Sequence, residues 1–154
     1  MLSEKPKGAA DVEIWKRSRG ALCSTHDAMV SLTEWFVSNI PFSYDLAIDH
    51  HRELATRPID DILFELLRMQ RGCMCGGLTI LMALVARREG YRAFELNFGR
   101  RDGNESHVVV LAGEPGNLII YDPTFGCFSG NTGGAPVSIQ TVISFLREGL
   151  GSQL

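Results

Sequence analysis

Cys75, His107 and Asp122 are the residues of this 154-residue chain whose types and order could do chemistry together. Nucleophilic acyl transfer needs such a set: the thiol attacks a carbonyl, the imidazole moves the proton, and the carboxylate holds one imidazole tautomer and stabilises the imidazolium. After Cys75 come Gly76, Gly77 and Leu-Thr-Ile-Leu-Met-Ala-Leu-Val-Ala-Arg-Arg-Glu, rich in strong helix formers, with Gly90 as the stop after Arg87 and Arg88. The thiol therefore stands at a predicted helix N-terminus, where unpaired N–H groups and the positive end of the dipole favour the reactive thiolate. Gly76 and Gly77 are expected to leave the backbone open to a substrate. Leu78, Ile80, Leu81, Met82, Leu84 and Val85 surround nearly the whole helix, which predicts a central, buried mount for the thiol.

His107 opens the run His-Val-Val-Val-Leu-Ala, and Asp122 closes Asn-Leu-Ile-Ile-Tyr-Asp. Gly113-Glu114-Pro115-Gly116 lies between them, so two β-rich segments flank a turn and a hairpin follows. A four-residue turn symmetric about Glu114 and Pro115 sets His107 directly opposite Asp122, with Cβ atoms roughly 5 Å apart.

The remaining elements must deliver these residues. Residues 1–10 read as a loose tail, followed by a short helix over Asp11 to Arg19. A longer helix runs from Asp27 to Asn39 with Met29, Leu32 and Phe36 on one face, and Pro41 ends it. Residues 43–57 are mixed and polar and read as a loop. Pro58 then opens a helix that carries Ile62, Leu63, Leu66 and Leu67. A strand is expected over Tyr91 to Phe98 and a polar loop from Arg100 to Ser106. Residues 126–136 are turn-rich, and a closing amphipathic helix places Ile139, Val142, Ile143 and Leu146 on one face. Helices come first and strands after, an α+β layout.

The chain is long enough for a single domain over residues 1–154 that buries about 70% of its unfolded surface. Fifteen basic against eighteen acidic residues, with no basic run beyond a pair, exclude nucleic acid and an anionic membrane as expected partners. The polar N-terminus has no apolar signal core and no stretch is long enough to span a bilayer, so the expected location is cytoplasmic. Four cysteines (Cys23, Cys73, Cys75, Cys127) do not form a disulfide-scaffold pattern.

Each candidate has a plainer reading. A cysteine can be a small buried hydrophobe and a histidine a structural group. The order and spacing of all three favour chemistry. Cys73 and Cys75 with His107 and Asp122 could supply four metal ligands, but structural zinc prefers two to four residues between paired cysteines, so no metal is expected. The same one-residue spacer strains a disulfide. Cys73 then reads as a packing residue, His50 and His51 as solvated, and His26 as a helix-start residue. Trp15, Trp35 and Phe36 read as core. Phe125 and Phe128, which follow Asp122, are candidates either for the core or, with Gly76 and Gly77, for the substrate pocket.

Three motifs carry a resemblance: Ile40-Pro41-Phe42, Arg71-Gly72-Cys73-Met74-Cys75 and Asp122-Pro123-Thr124-Phe125-Gly126. They resemble the Ile-Pro-Phe-Glu-Asn, Arg-Gly-Gly-aromatic-Cys and Asp-x-Gly-Phe-Gly of the arylamine N-acetyltransferases, within the transglutaminase-like, papain-related superfamily of Cys-His-Asp enzymes. The likeness covers roughly residues 29–126, and motifs with spacing are more specific than any one alone. Where those acetyltransferases carry an acidic or amide residue and then an asparagine after the cysteine, this chain has Gly77 and Thr79, closer to transglutaminase-like proteins. The acetyltransferases also continue into a further domain beyond the stretch matched here. The resemblance implies a papain-like core, a thioester on Cys75 and His107 as base. The expected activity is acyl transfer from a thioester or amide, acyl coenzyme A being one possible substrate, to an amine, with no resident cofactor. The expected partners are a small-molecule or peptide acyl donor and an amine acceptor. An amide hydrolase or cysteine peptidase, and a non-catalytic interaction domain that keeps the fold, are the alternatives.

Overall fold

The structure is a computed structural model, and it describes residues 24–45, 47–68, 71–99 and 106–149. The expectations for residues 1–10, the Asp11 to Arg19 helix, Trp15, Cys23 and, of the Arg100 to Ser106 loop, all but Ser106 lie outside the described residues; Ser106 itself begins a strand.

Helix α1 spans Thr25–Asn39. Ser24 and Asp27 close a reciprocal capping box at its start. Its inner face buries Ala28, Met29, Leu32, Thr33 and Phe36, and the chain turns extended at Ile40, ahead of Pro41. Helix α2 spans His50–Thr56, where the sequence reads as loop. This correction has a physical reason: α2 buries no residue, so it leaves no apolar period to detect. Leu54 packs half-buried against the core, and the other ties are polar. Asp49 caps it by accepting from the Arg52 N–H, and Glu53 pairs with Arg57 at 2.8 Å and with Arg71 at 2.8 Å. Helix α3, Ile59–Leu67, follows Pro58 as expected and buries Ile62, Leu63 and Leu66.

Residues 71–74 are threaded between two earlier strips of chain. Cys73 N donates to Pro41 O, Ser43 N to Cys73 O, and Ile48 N to Gly72 O. Only glycine fits at position 72, because a Cβ there would lie 2.5 Å from Ser43 Cβ and 2.9 Å from Pro41 O. Helix α4, Cys75–Arg88, leaves this clamp. It buries Leu78, Leu81, Met82, Val85 and Ala86, the central helix that its sequence predicts.

Four antiparallel strands complete the fold in the order β1-β2-β3-β4: Ala93–Gly99, Ser106–Glu114, Asn117–Asp122 and Cys127–Phe128. The short strand β4 lies within the turn-rich stretch 126–136. The hairpin register corrects the sequence expectation. Glu114 pairs with Asn117, so the turn holds only Pro115 and Gly116, and Gly116 has φ +83. Proline followed by a glycine at positive φ is the signature of a type II turn, which lets Gly113 and Glu114 join the strand. Val110 therefore pairs with Tyr121, and the same register carries Asp122 across from Val109, not from His107. The shift is by two residues, so His107 and Asp122 keep the same face and become diagonal neighbours; a shift by one would have separated them.

Helix α5, Ile139–Arg147, is capped by Ser138 and lies by β3. Its stripe is only half covered, with Ile139 and Val142 buried and Ile143 and Leu146 exposed. The core lies between α1, α3, α4 and the sheet, with Phe36, Leu63, Leu81, Val110 and Tyr121 fully buried. No helix among the described residues is long and apolar enough to cross a membrane.

Candidate active site

His107 Nε2 and Asp122 Oδ2 are 2.6 Å apart. Diagonal neighbours on one sheet face are within reach of a long side chain, and the imidazole spans the gap. The other carboxylate oxygen is also occupied, since Asp122 Oδ1 accepts from Thr124 N at 2.8 Å and Phe125 N at 3.2 Å. Such an Asx turn follows from an aspartate at the start of a tight reversal, closed here by Gly126 N donating to Asp122 O. The Asp122 side chain is 10% exposed and that of His107 32%, so the pair is sheltered yet reachable. Because Nε2 is taken by Asp122, Nδ1 is the nitrogen left for a reacting thiol.

Cys75 begins α4, and Thr79 lies one turn later on the same side. Thr79 Oγ1 donates to Val108 O at 2.8 Å, which pins the first turn of α4 to the start of β2. An open cleft of about 360 Å³ lies there. Cys75, Gly76 and Met74 form one side, and Ser106 and Val108, the residues that flank His107, form another. Among the described residues no hydrogen bond joins Cys75 to His107. The imidazole–carboxylate pair is assembled, and neither His107 nor Asp122 is among the residues that line the cleft holding Cys75. The first main-chain N–H of α4 with a helical partner is that of Leu78, which donates to Met74 O, so the N–H groups of the opening turn are available to an oxyanion.

The other expected pocket residues divide. Gly76 lines the cleft. Gly77 does not: a Cβ there would lie 3.2 Å from Cys73 Sγ, so its lack of a side chain serves packing. Phe125 is 73% exposed and stacks obliquely on the His107 ring, centroids 5.4 Å apart, without lining the cleft. Phe128 packs edge-on to His26 at 4.8 Å and beside Tyr121, in the core satellite. Cys73 is buried under α4, and burial pushes its thiol up to about 12. Cys127 is exposed, but desolvation and the neighbouring Asp122 raise it too. Cys73, Cys75 and Cys127 are all free thiols.

Sequence reasoning missed His50. It starts α2, lines the cleft with Cys75, and comes so near the α4 backbone that a Cβ on Gly76 would be 3.1 Å from its Nε2. Burial first, and His51 second, lower its proton affinity below the ordinary histidine value, which favours the neutral ring. The usable signal was Asp49 with Glu53, an acidic cap and first turn, which marks a helix start at His50. His26, read as a helix-start residue, also bonds Tyr121: its Nδ1 lies 2.9 Å from the buried hydroxyl.

No protein-family model matches the sequence, and no curated protein matches it. Among solved structures the chain is similar to a "putative cysteine protease" from Cytophaga hutchinsonii, with a TM-score of 0.52 at 18% identity over 90% of this chain and 44% of that one. A structure described as that of a TGase gives a TM-score of 0.49 at 12% identity over 80% of this chain and 34% of that one. The chain thus spans less than half the length of either protein, and neither is described as an arylamine N-acetyltransferase. The first of these likenesses, with the helix and sheet order above, shows an α+β papain-like core in which the Cys75 helix packs on a small antiparallel sheet.

Proposed function

We propose that the chain is a cysteine-dependent acyl-transfer enzyme that works through a thioester on Cys75. The observation that supports this reading is the 2.6 Å bond between His107 Nε2 and an Asp122 whose second oxygen is already held, on a strand whose Ser106 and Val108, the neighbours of His107, line the Cys75 cleft. In the first half-reaction His107 Nδ1 takes the thiol proton and the sulfur attacks the donor carbonyl. N–H groups of the opening turn of α4 stabilise the oxyanion, each worth about 3 kcal/mol in comparable sites. The C–X bond breaks, the leaving group takes the proton from His107, and a Cys75 thioester remains. In the second, an acceptor amine gives a proton to His107 as it attacks, the C–S bond breaks, and the thiol is restored. Asp122 orients the ring throughout. The donor is a small thioester or amide; the acceptor is an amine.

Hydrolysis by water at the same thioester is the second reading, favoured by the open cleft and by the description of the first structural neighbour as a cysteine protease. Donor consumption with and without added amine separates the two. Both activities are expected to vanish in Cys75→Ser, with N-acyl product dominating in the parent when amine is present. Donor turnover that survives Cys75→Ser contradicts the thioester route.

A further inference from the structure

The cleft beside Cys75 has a second lobe. A cavity of about 370 Å³ shares His50, His51, Gly76, Asn97 and Val108 with it, does not reach Cys75, and extends to Ile80 of α4 and Glu95 of β1. His50 stands where the two lobes meet. We propose that the second lobe is the acceptor site, and that His50 binds a small uncharged amine there by accepting a hydrogen bond from its N–H. This deepens the acyl-transfer reading and rests on it.

Three observations carry the proposal. The first is shape: a two-substrate reaction needs a place for the acceptor that the donor does not fill, and the lobe bounded by Ile80 and Glu95 adjoins the Cys75 cleft along a border that includes His50. The second is chemistry. A neutral imidazole keeps an acceptor nitrogen, whereas an imidazolium would offer only donors. Burial and His51 favour the neutral form of His50 against the opposing Asp49. An amine whose lone pair must face the thioester carbonyl needs its N–H groups directed elsewhere, and His50 supplies that partner. The third is construction. Gly76 leaves room for the ring over the α4 backbone. The Glu53–Arg71 pair and the Ile48–Gly72 hydrogen bond tie α2 to the strip that leads into Cys75. The His50 position is therefore tied to the strip that carries the thiol. The lining is mixed, with Asn97 and Glu95 polar and Ile80 and Val108 apolar, and Glu95 is neutralised by Arg87 at 2.9 Å, which suits an uncharged amine with a short apolar body.

The test has two arms. In the first, Cys75→Ala protein with labelled histidine is titrated with O-benzylhydroxylamine, an amine uncharged at neutral pH, and the imidazole resonances are followed. His50 is expected to shift saturably while His26, engaged with Tyr121, does not; a His50 that stays unmoved overturns the proposal. In the second arm a thioester donor and the same amine are given to the parent, His50→Phe and His50→Gln. The phenylalanine keeps the ring volume over Gly76 and removes the nitrogen. It should raise the amine concentration for half-maximal transfer about tenfold, as expected for one lost hydrogen bond, and by clearly more than it slows Cys75 acylation. The glutamine, which restores an acceptor atom, should fall between. An unchanged amine dependence, or an equal loss of acylation, overturns the acceptor role. If the parent forms no acyl-enzyme the thioester reading falls, while the titration still decides whether this lobe binds amines.

Discussion

His107 and Asp122 lie 15 residues apart on neighbouring strands joined by a two-residue turn, and one hairpin fixes both. Cys75 and His50 are held in another way, by three separated strips of chain: residues 41–43, residues 47–48 leading into α2, and the clamped segment 71–74. The hairpin half depends on local turn chemistry and strand pairing. The cysteine half depends on long-range main-chain bonds, one glycine and a polar network of Glu53, Arg57, Glu65 and Arg71. Chemistry can therefore be removed from the hairpin without disturbing the fold, whereas changes in the cysteine half act through architecture.

The sharpest way to break that contrast is Asp122→Asn. The asparagine oxygen still accepts from the Thr124 and Phe125 N–H groups, so the fold is expected to persist, but the amide presents a donor to His107 and selects the wrong tautomer. Single-turnover acylation should fall about 10³-fold or more with little change in thermal stability. Near-normal acylation would remove Asp122 from the mechanism. Next in size is the difference among thiols. Burial holds Cys73 far from the thiolate, and desolvation with Asp122 raises Cys127. Limited iodoacetamide at neutral pH, read by peptide mapping, should label Cys75 at least about 10²-fold faster than Cys73. Faster labelling of Cys73 or Cys127 would move the nucleophile.

Two smaller effects probe the cysteine half. Gly72→Ala drives a methyl into Ser43 and the Pro41 carbonyl, and should cost about 2 kcal/mol in denaturant unfolding while lowering Cys75 reactivity. A neutral result would mean that the clamp can widen. Glu53→Gln should cost about 1 kcal/mol, since its partners are partly exposed. Hydrogen bonding from Arg71, ahead of Arg57, lowers the Glu53 carboxyl below its ordinary value of 4.5. A depressed carboxylate contributes stability that is fully present above that value and is lost as pH falls through the lower folded one. The stability gap between parent and Glu53→Gln should therefore close in acid below that ordinary value, as followed by unfolding at a series of pH values.

The same contrast explains what the sequence made legible. The α4 helix, the Pro58 start of α3, the end of α1 before Pro41 and the existence of the hairpin all leave local marks in residue type or period. The hairpin register was off by two because Gly113 resembles a turn residue, although the Pro115-Gly116 pair alone suffices for the reversal. Helix α2 leaves no apolar period because none of its residues is fully buried, and its Glu53–Arg71 pair joins residues far apart in sequence. His50 reads as solvated for a related reason: its approach to Gly76 depends on the pairing of residues 47–48 with 72, which no local pattern records. Gly77 and Phe128 show the converse, since their proximity in sequence to Cys75 and Asp122 did not bring them into the cleft.

The central claim is that Cys75 carries the acyl group and that the His107–Asp122 pair serves it. Its most direct test is the intact mass of the protein after brief exposure to a panel of small acyl thioesters and an acid quench, with peptide mapping of any adduct. A single acyl increment on Cys75, absent from Cys75→Ala and strongly slowed in His107→Ala, is the predicted result. An increment on Cys73 or Cys127, or one that forms on Cys75 at the same rate without His107, would contradict the account.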